Sequence, residues 1–487
     1  MSEVIENSTI NSALFTDFYE LTMAHGYWKQ NMDHEVVFDM FFRKNPFDGG
    51  FSVLAGVETF LDVLTSFRFS EEDIAYLSGL NMFEQGFLDY LKDFRFTGDV
   101  YMMDEGKVIF PQEPLVRIHA PLIQAQIIEG MLLNHINFQS LIATKTARIW
   151  LASKKTPIME FGLRRAQGPD GAMSATRAAY IGGAAGTSNT LAGKLYGIPV
   201  MGTMAHSWIM SHPSELEAFR AYAKIYPQNA VFLIDTYDTL KSGIKNAIIA
   251  GGELVKKGYG FGVRLDSGDI SYLTREVRKE LDRAGYTQAK ICVSNELTEE
   301  IITTLVAGGA PIDSWGVGTH MVTGGNESSF TGVYKLAARH DAKTNKLEPA
   351  MKFSDNPAKT TNPGIKNSYR LYDENGMAIA DILSLENEAV EEGKETRFFH
   401  TMVDYRSFVT KPAKVEPLLK KRLSKGERVL PRLPEKEQLI IARQNMEKDL
   451  AALDPSYKRI LNPHVYKVSV TEGLKDLKLK FIEANLK

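Results

Sequence analysis

Six short apolar runs in the middle of this 487-residue chain, each ending in a cluster of polar residues, restrict its fold more than any other feature. They are PIMEFGLRR (157–165), IPVMGTMAHS (198–207), AVFLIDTYD (230–238), GFGVRLDSGD (260–269), KICVSNEL (290–297) and IDSWGVGTH (312–320). Their starts lie about 20 to 45 residues apart with a helical stretch after each, the spacing of βα units in a parallel sheet. The runs share a pattern and not a sequence, so they are not a repeat. In each, the Arg, His, Asp, Ser or Thr residues fall at the C-terminal end of the strand. A βα barrel assembles its active site from several such ends. A doubly wound open sheet places ligands there too, so periodicity alone does not separate the two.

The flanking segments read differently. A helix is predicted over Thr16–Trp28, with Thr16 or Asp17 able to cap it. A strand-like VVFDMFF and the turn material NPFDGG follow, then helices near Gly56–Leu64 and Glu71–Leu80. A β-rich stretch runs from Gly98 to His119, and long helical periodicity from Gln124 to Ser153. After Ala350 the composition shifts, with a hairpin turn predicted at Asp373–Gly376 and a charged, partly helical remainder from Glu386.

A formal charge of -3, with 44% hydrophobic and 24% charged residues, is an ordinary globular balance without the basic excess of a nucleic-acid surface. The single cysteine, Cys292 in KICVSN, excludes an intramolecular disulfide and a Cys-based zinc cluster and reads as a buried core thiol. MSEVIENSTINSALFTD has neither a basic n-region nor an apolar h-region, and no apolar run approaches bilayer length. The expectation is a soluble, cytoplasmic protein with no membrane and no nucleic-acid partner.

Chemistry concentrates at the strand ends. FGLRRAQGPDG puts Phe161 beside Arg164 and Arg165: the fork of an arginine suits carboxylate or phosphate, and the ring suits stacking. Either arginine alone reads equally well as a salt-bridge residue. In GVRLDSGD, Arg264, Asp266, Ser267, Gly268 and Asp269 crowd one end, suiting a polyhydroxylated, phosphorylated ligand; the bland alternative is a tight turn with an aspartate helix cap. WGVGTHMVTGG strings glycines with Thr319 and Thr323, a phosphate-loop composition that is weak by itself. No Walker or dinucleotide fingerprint is present. His206, in MGTMAHSW, is a base, a ligand, a nucleophile or a hydrogen-bonded structural residue. His206 and His212 are six apart, neither helical nor hairpin spacing for two zinc ligands, and no protein-held metal is expected.

Taken in order, TDFYELTM, FFRKNPF, FGLRR, GTMAHS, LIDTYD, RLDSGD and GVGTH closely resemble the nicotinate phosphoribosyltransferase family, and the likeness runs through about residue 335. The resemblance implies an α/β fold: an N-terminal α+β domain (1–125), an irregular, TIM-like βα barrel (126–350) and a C-terminal extension (351–487) holding a small β-containing module and helices. It implies a homodimer with active sites shared between subunits. The implied reaction, first step of NAD salvage from nicotinic acid, joins nicotinate to 5-phosphoribosyl 1-diphosphate and releases diphosphate. ATP is a co-substrate through a phosphohistidine at His206, and Mg2+ is bound mainly through the diphosphate and ATP; the enzyme class is a ligase forming a C–N bond.

Residue roles follow from the same resemblance. Tyr19 of one subunit and Phe161 of the other sandwich the ring, with Arg164, Arg264 and Thr203 near its carboxylate. Asp266, Ser267 and Gly268 take the ribose and diphosphate, and Gly318 with Thr319 the 5′-phosphate. Asp17 and Arg43 join the phosphate side, and Asp235 contacts and orients His206. Ser188, in GGAAGTSNTLAG, stands where nicotinamide-using relatives carry an aspartate, so selectivity for the acid is expected. Thr187 or Asn189 is the counterpart if the alignment shifts by one, and all three are uncharged. Nicotinamide phosphoribosyl transfer and a non-catalytic metabolite-binding role remain the alternatives. A βα-barrel aldolase or isomerase would need a lysine or paired carboxylates as catalytic groups, and no strand end in the set carries a lysine.

Overall fold

The computed structural model describes residues 12–485 apart from 355, 357, 358 and 404. Residues 1–11, most of the N-terminal stretch read above as lacking a leader, lie outside the described residues. The chain forms two compact units, Lys145–Ser328 and a second built from Met1–Thr144 with Ser329–Lys487.

The first unit centres on a six-stranded sheet in the order Gly186–Thr187, Ile158–Glu160, Ser314–Val317, Lys290–Asn295, Gly262–Leu265, Val231–Leu233. Every pairing is parallel. Both faces of such a sheet are covered, so its strands are continuous apolar runs rather than alternating ones. Ile158, Phe232, Leu233, Val263, Leu265, Ile291, Val293, Trp315 and Val317 are accordingly all buried. Helices Gly168–Ile181, Glu215–Ile225, Ile244–Val255, Ile270–Arg283 and Glu299–Ala307 connect them. Several start on a side-chain cap: Ser214, Asp269 and Thr298 each accept a backbone N–H three residues on.

Five of the six runs form strands, and one does not. IPVMGTMAHS stays irregular, with one parallel bridge from Val200 to Thr187. Pro199 has no N–H to donate to a ladder and Gly202 no side chain to pack, which explains the interruption. The sixth strand is instead the two-residue Gly186–Thr187, from a segment too rich in glycine and alanine to read as β. The ladder runs from this strand to Val231–Leu233, its two ends.

The second unit has a seven-stranded sheet in the order Lys346–Pro349, Gly332–Asp341, Glu35–Phe42, Val116–Pro121, Asp99–Met102, Lys420–Ser424, Glu427–Arg428, antiparallel throughout. Helices Phe18–Lys29, Val57–Ser66, Gln85–Lys92 and Leu122–Ile127 bury their apolar faces in the cluster that also holds Phe38, Met40, Val100 and Ile118. Helix Phe18–Lys29 has Asp17 at its N-cap position without a capping hydrogen bond; Thr16 instead donates to Glu20 and, at 3.1 Å, to the Ile127 carbonyl. The segment from 329 onward belongs to this unit. Residues 332–349 extend the first sheet, and most of the later strands make a second six-stranded sheet. Its Lys366–Tyr372 and Ala378–Leu385 strands form a hairpin whose turn is Asp373–Gly376, with Gly376 at φ 75. No helix among the described residues is long and apolar enough to cross a membrane.

Candidate active site

Three neighbouring strand ends of the parallel sheet build one hydrogen-bonded cluster. Arg264, the one residue of Gly262–Leu265 that is not fully buried, donates through Nη1 to Thr203 Oγ1. Its Nε is buried without a partner. One residue past that strand, Asp266 donates its N–H to Asp235 Oδ2 at 2.9 Å, and Ser267 donates its hydroxyl to the same oxygen at 2.6 Å. Asp235 Oδ1 is buried and unpartnered. Ser294, at the end of Lys290–Asn295, donates to Asp266 Oδ1. The other oxygen of Asp266 lies 3.9 Å from His206 Nε2. Asp235 thus shapes the Asp266–Ser267 turn, and Asp266 is aimed by Ser294 toward the histidine.

The expected contact of Asp235 with His206 is therefore replaced. His206 Nδ1 lies 3.0 Å from Thr236 Oγ1, and the carboxylate beside the ring is Asp266. Consecutive residues at a strand end face different directions, and here Thr236, not Asp235, faces the ring. Asp269 is the helix cap that the sequence allowed, accepting from Tyr272 N–H at 3.0 Å, and Gly268 turns the chain between them at φ 84.

Further along the strand order Phe161 follows Ile158–Glu160, its N–H bound to the Val317 carbonyl at 2.8 Å. A Cβ placed on Gly316 would come within 2.7 Å of the Phe161 ring, so the ring lies flush on that glycine. Glu160 is fully inside: it accepts from the Gly162 N–H, from Thr176 at 2.9 Å and from Thr187 at 2.5 Å. Thr187 pairs with Glu160 in the ladder, so Ser188 flanks Phe161, and its N–H donates to the Glu160 carbonyl at 2.9 Å. Asn189 is buried, caps helix Thr190–Tyr196 and reaches Thr176, which makes it a structural residue here. Arg164 is exposed on the single turn Leu163–Arg165. Gly318 and Thr319 follow Ser314–Val317, and Thr319 donates to Glu296 at 3.4 Å.

Asp17, Tyr19 and Arg43 belong to the other unit. Tyr19 is 48% exposed on the first turn of its helix, beside an equally exposed Phe18. Burial of part of the phenol, with Glu129, Glu20 and Asp17 nearby, pushes its pKa up to about 12, so it stays neutral. Arg43 follows Glu35–Phe42, and its Nε is buried with no hydrogen-bond partner. Sequence reasoning missed Thr236, Ser294 and Glu160. Each sits in a run already singled out, next to or near a chosen residue, and composition held no signal to rank them. Among the described residues no group of three or more His, Cys, Asp or Glu side chains is placed to hold a metal ion.

Comparison with known proteins gives one family along nearly the whole chain. Residues 14–137 match the nicotinate phosphoribosyltransferase N-terminal domain, 156–397 the nicotinate phosphoribosyltransferase family and 365–478 the nicotinate phosphoribosyltransferase C-terminal domain. The chain is 39% identical over 462 residues to nicotinate phosphoribosyltransferase of Bacillus subtilis, covering 94% of this chain and 93% of that one. To the Homo sapiens protein of the same name it is 34% identical, covering 95% of each. The crystal structure of human nicotinic acid phosphoribosyltransferase superposes with a TM-score of 0.82 at 30% identity, over 96% of this chain and 99% of that one.

Proposed function

Because the chain belongs to the nicotinate phosphoribosyltransferase family, we propose that it forms nicotinate mononucleotide and diphosphate from nicotinate and 5-phosphoribosyl 1-diphosphate, with ATP hydrolysis coupled through His206. One observation carries the reading: Arg264, held by Thr203 with its Nε unpartnered, stands at the strand end that carries Asp266 and Ser267, and His206 lies 3.9 Å from Asp266. A guanidinium with a buried, unused N–H is set to receive an anion. We read the parallel sheet as the wall of the irregular barrel, and the protein as a homodimeric cytoplasmic enzyme.

Phe161 offers its face to the pyridine ring, and Arg264 with Arg164 offers positive charge to the carboxylate. Asp266 and Ser267 accept and donate to the ribose hydroxyls and diphosphate. Departure of diphosphate builds oxocarbenium character at the sugar, so holding the ring nitrogen in line supplies much of the rate. Asp235 Oδ1 and Asp266 fit a Mg2+ carried mainly by phosphate oxygens, which would neutralise the leaving group. Neutral His206 attacks the γ-phosphate of ATP, ADP leaves, and water later releases phosphate from the ring. The new charge of about -1.5 to -2 would appear on a ring 3.9 Å from Asp266, so the phosphohistidine cycle acts directly on the sugar-binding carboxylate.

Selectivity follows from charge. No acidic side chain stands at Thr187, Ser188 or Asn189, and the nearby Glu160 carboxylate is buried and already accepts from Gly162, Thr176 and Thr187, so none of these three positions repels a carboxylate on the ring. Diphosphate release with nicotinate and with nicotinamide tests the assignment. Efficiency for the acid should exceed that for the amide by about a thousandfold, because the neutral amide forfeits the charge pairing with the arginines, a loss on the order of several kcal/mol in a desolvated site. Comparable efficiencies would reject it.

A further inference from the structure

Glu296 lies just past the Lys290–Asn295 strand, and its carboxylate spans Thr319, assigned above to the 5′-phosphate, and the next residue, His320. Oε1 accepts from Thr319 Oγ1 at 3.4 Å, and Oε2 lies 3.4 Å from His320 Nε2. Two features hold this arrangement. Asn295 adopts φ 130, a sparsely populated conformation for a residue with a side chain, and the Leu297 N–H closes back on the Asn295 carbonyl at 2.7 Å. That tight turn brings Glu296 back over the end of Ser314–Val317. On the opposite side, Gly324 and Gly325 run at φ 77 and φ 62, and His320 Nδ1 is 3.3 Å from where a Cβ on Gly325 would sit. The imidazole is thus wedged against a side-chain-free turn with Nε2 directed at Glu296.

A carboxylate whose two oxygens face a hydroxyl and an imidazole nitrogen reproduces the spacing of two phosphate oxygens. The Glu296 side chain is 62% exposed, so it leaves these partners without stranding a buried charge. We propose that Glu296 is an internal competitor of the substrate's phosphate, occupying Thr319 and His320 until the 5′-phosphate displaces it, and that His320 is a further phosphate-binding residue. The proposal rests on the reading of Gly318–Thr319 as the 5′-phosphate loop.

Calorimetric titration with ribose 5-phosphate tests it apart from turnover. Glu296→Gln keeps the shape and removes the charge; its Kd should fall about two- to fivefold, the range of an exposed ion pair. The KM for phosphoribosyl diphosphate should fall in parallel. His320→Ala should weaken binding severalfold, and Glu296→Gln should gain less in that background, because the two act on the same oxygens. Unchanged or weaker binding by a natively folded Glu296→Gln overturns the competitor role. If Thr319→Val and His320→Ala also leave the Kd unaltered, the phosphate binds elsewhere and the loop assignment falls too. If those two weaken binding while Glu296→Gln does not tighten it, the competitor role of Glu296 fails and the phosphate-binding role of His320 stands.

Discussion

His206 sits between a hydroxyl on Nδ1 and a carboxylate near Nε2, an arrangement that orients the ring without linking it to the glycosidic bond being made. Its replacement should therefore separate two activities. His206→Ala is expected to abolish ATP hydrolysis and acid-labile phosphoenzyme while retaining slow, ATP-independent mononucleotide synthesis. Incubation with radiolabelled ATP reads the first and nicotinate-dependent diphosphate release the second; full ATP stimulation of the variant would assign the phosphate to another histidine. Ser188 tests the opposite property, a charge that is missing. Ser188→Asp places a carboxylate beside Phe161, and nicotinate turnover should fall about tenfold or more through like-charge repulsion. A variant that still uses nicotinate at native efficiency would show that the ring's carboxylate points away from this strand end.

The strands and helices position these residues through contacts that leave little slack. Phe161 rests on Gly316 of the adjacent strand, where a methyl group would stand 2.7 Å from the ring. Gly316→Ala should tilt the ring and reduce catalytic efficiency with nicotinate by about tenfold to a hundredfold, the scale of a misplacement near 1 Å, while circular dichroism stays native. An unaffected efficiency would mean that Phe161 does not bear on the substrate. Helix Glu299–Ala307 is tied to helix Glu129–Ala152 by a buried triad: Glu299 Oε2 to Lys145 at 2.6 Å and Oε1 to Arg148 Nε at 2.9 Å. Burial pushes the Glu299 pKa up, but the two cations outweigh it and hold it below the ordinary value. A depressed folded pKa stabilises the ionised form. Its contribution is complete above the unfolded value of about 4.3 and is lost as pH falls through the folded pKa. Glu299→Gln removes the carboxylate shared by two buried cations and should cost about 3–5 kcal/mol at neutral pH, with a shallower loss of stability on acidification. Denaturant melts from pH 7 to pH 3 measure both; parallel curves for the two proteins would exclude the triad as a source of acid sensitivity.

At the level of the whole molecule the ring site is read as shared between two copies. Tyr19 and Phe18 leave apolar surface exposed on one helix turn, and Arg264 belongs to the other unit of the fold. Inactive Tyr19→Ala and Arg264→Ala homodimers, mixed under conditions of subunit exchange, should regain part of the native activity. A random mixture forms hybrids in about half of its dimers, and each hybrid holds one site with both residues intact. Absence of recovery after demonstrated exchange would place both residues in a site made by one chain. Analytical ultracentrifugation measures the association itself.

The amino-acid sequence by itself determined five of the six parallel strands and which of their ends carry polar chemistry. A strand buried on both faces has to be an apolar run, and its chemistry can only appear where the run stops. The turn at Asp373–Gly376 and the helices near residues 16–28, 56–64 and 71–80 were legible for the same local reason. Only the tertiary structure decided that IPVMGTMAHS stays irregular while Gly186–Thr187 takes an edge of the sheet, because ladder partners lie far away in the chain. It also decided that Thr236 rather than Asp235 meets His206, that Asp269 caps a helix while Asp266 faces the histidine, and that residues 329–350 join the first 144. Those outcomes turn on hydrogen bonds such as Ser267 to Asp235 and Ser294 to Asp266, made between different strand ends. Periodicity reports on neighbours within a few residues, and the direction of a carboxylate is set by donors about thirty residues away.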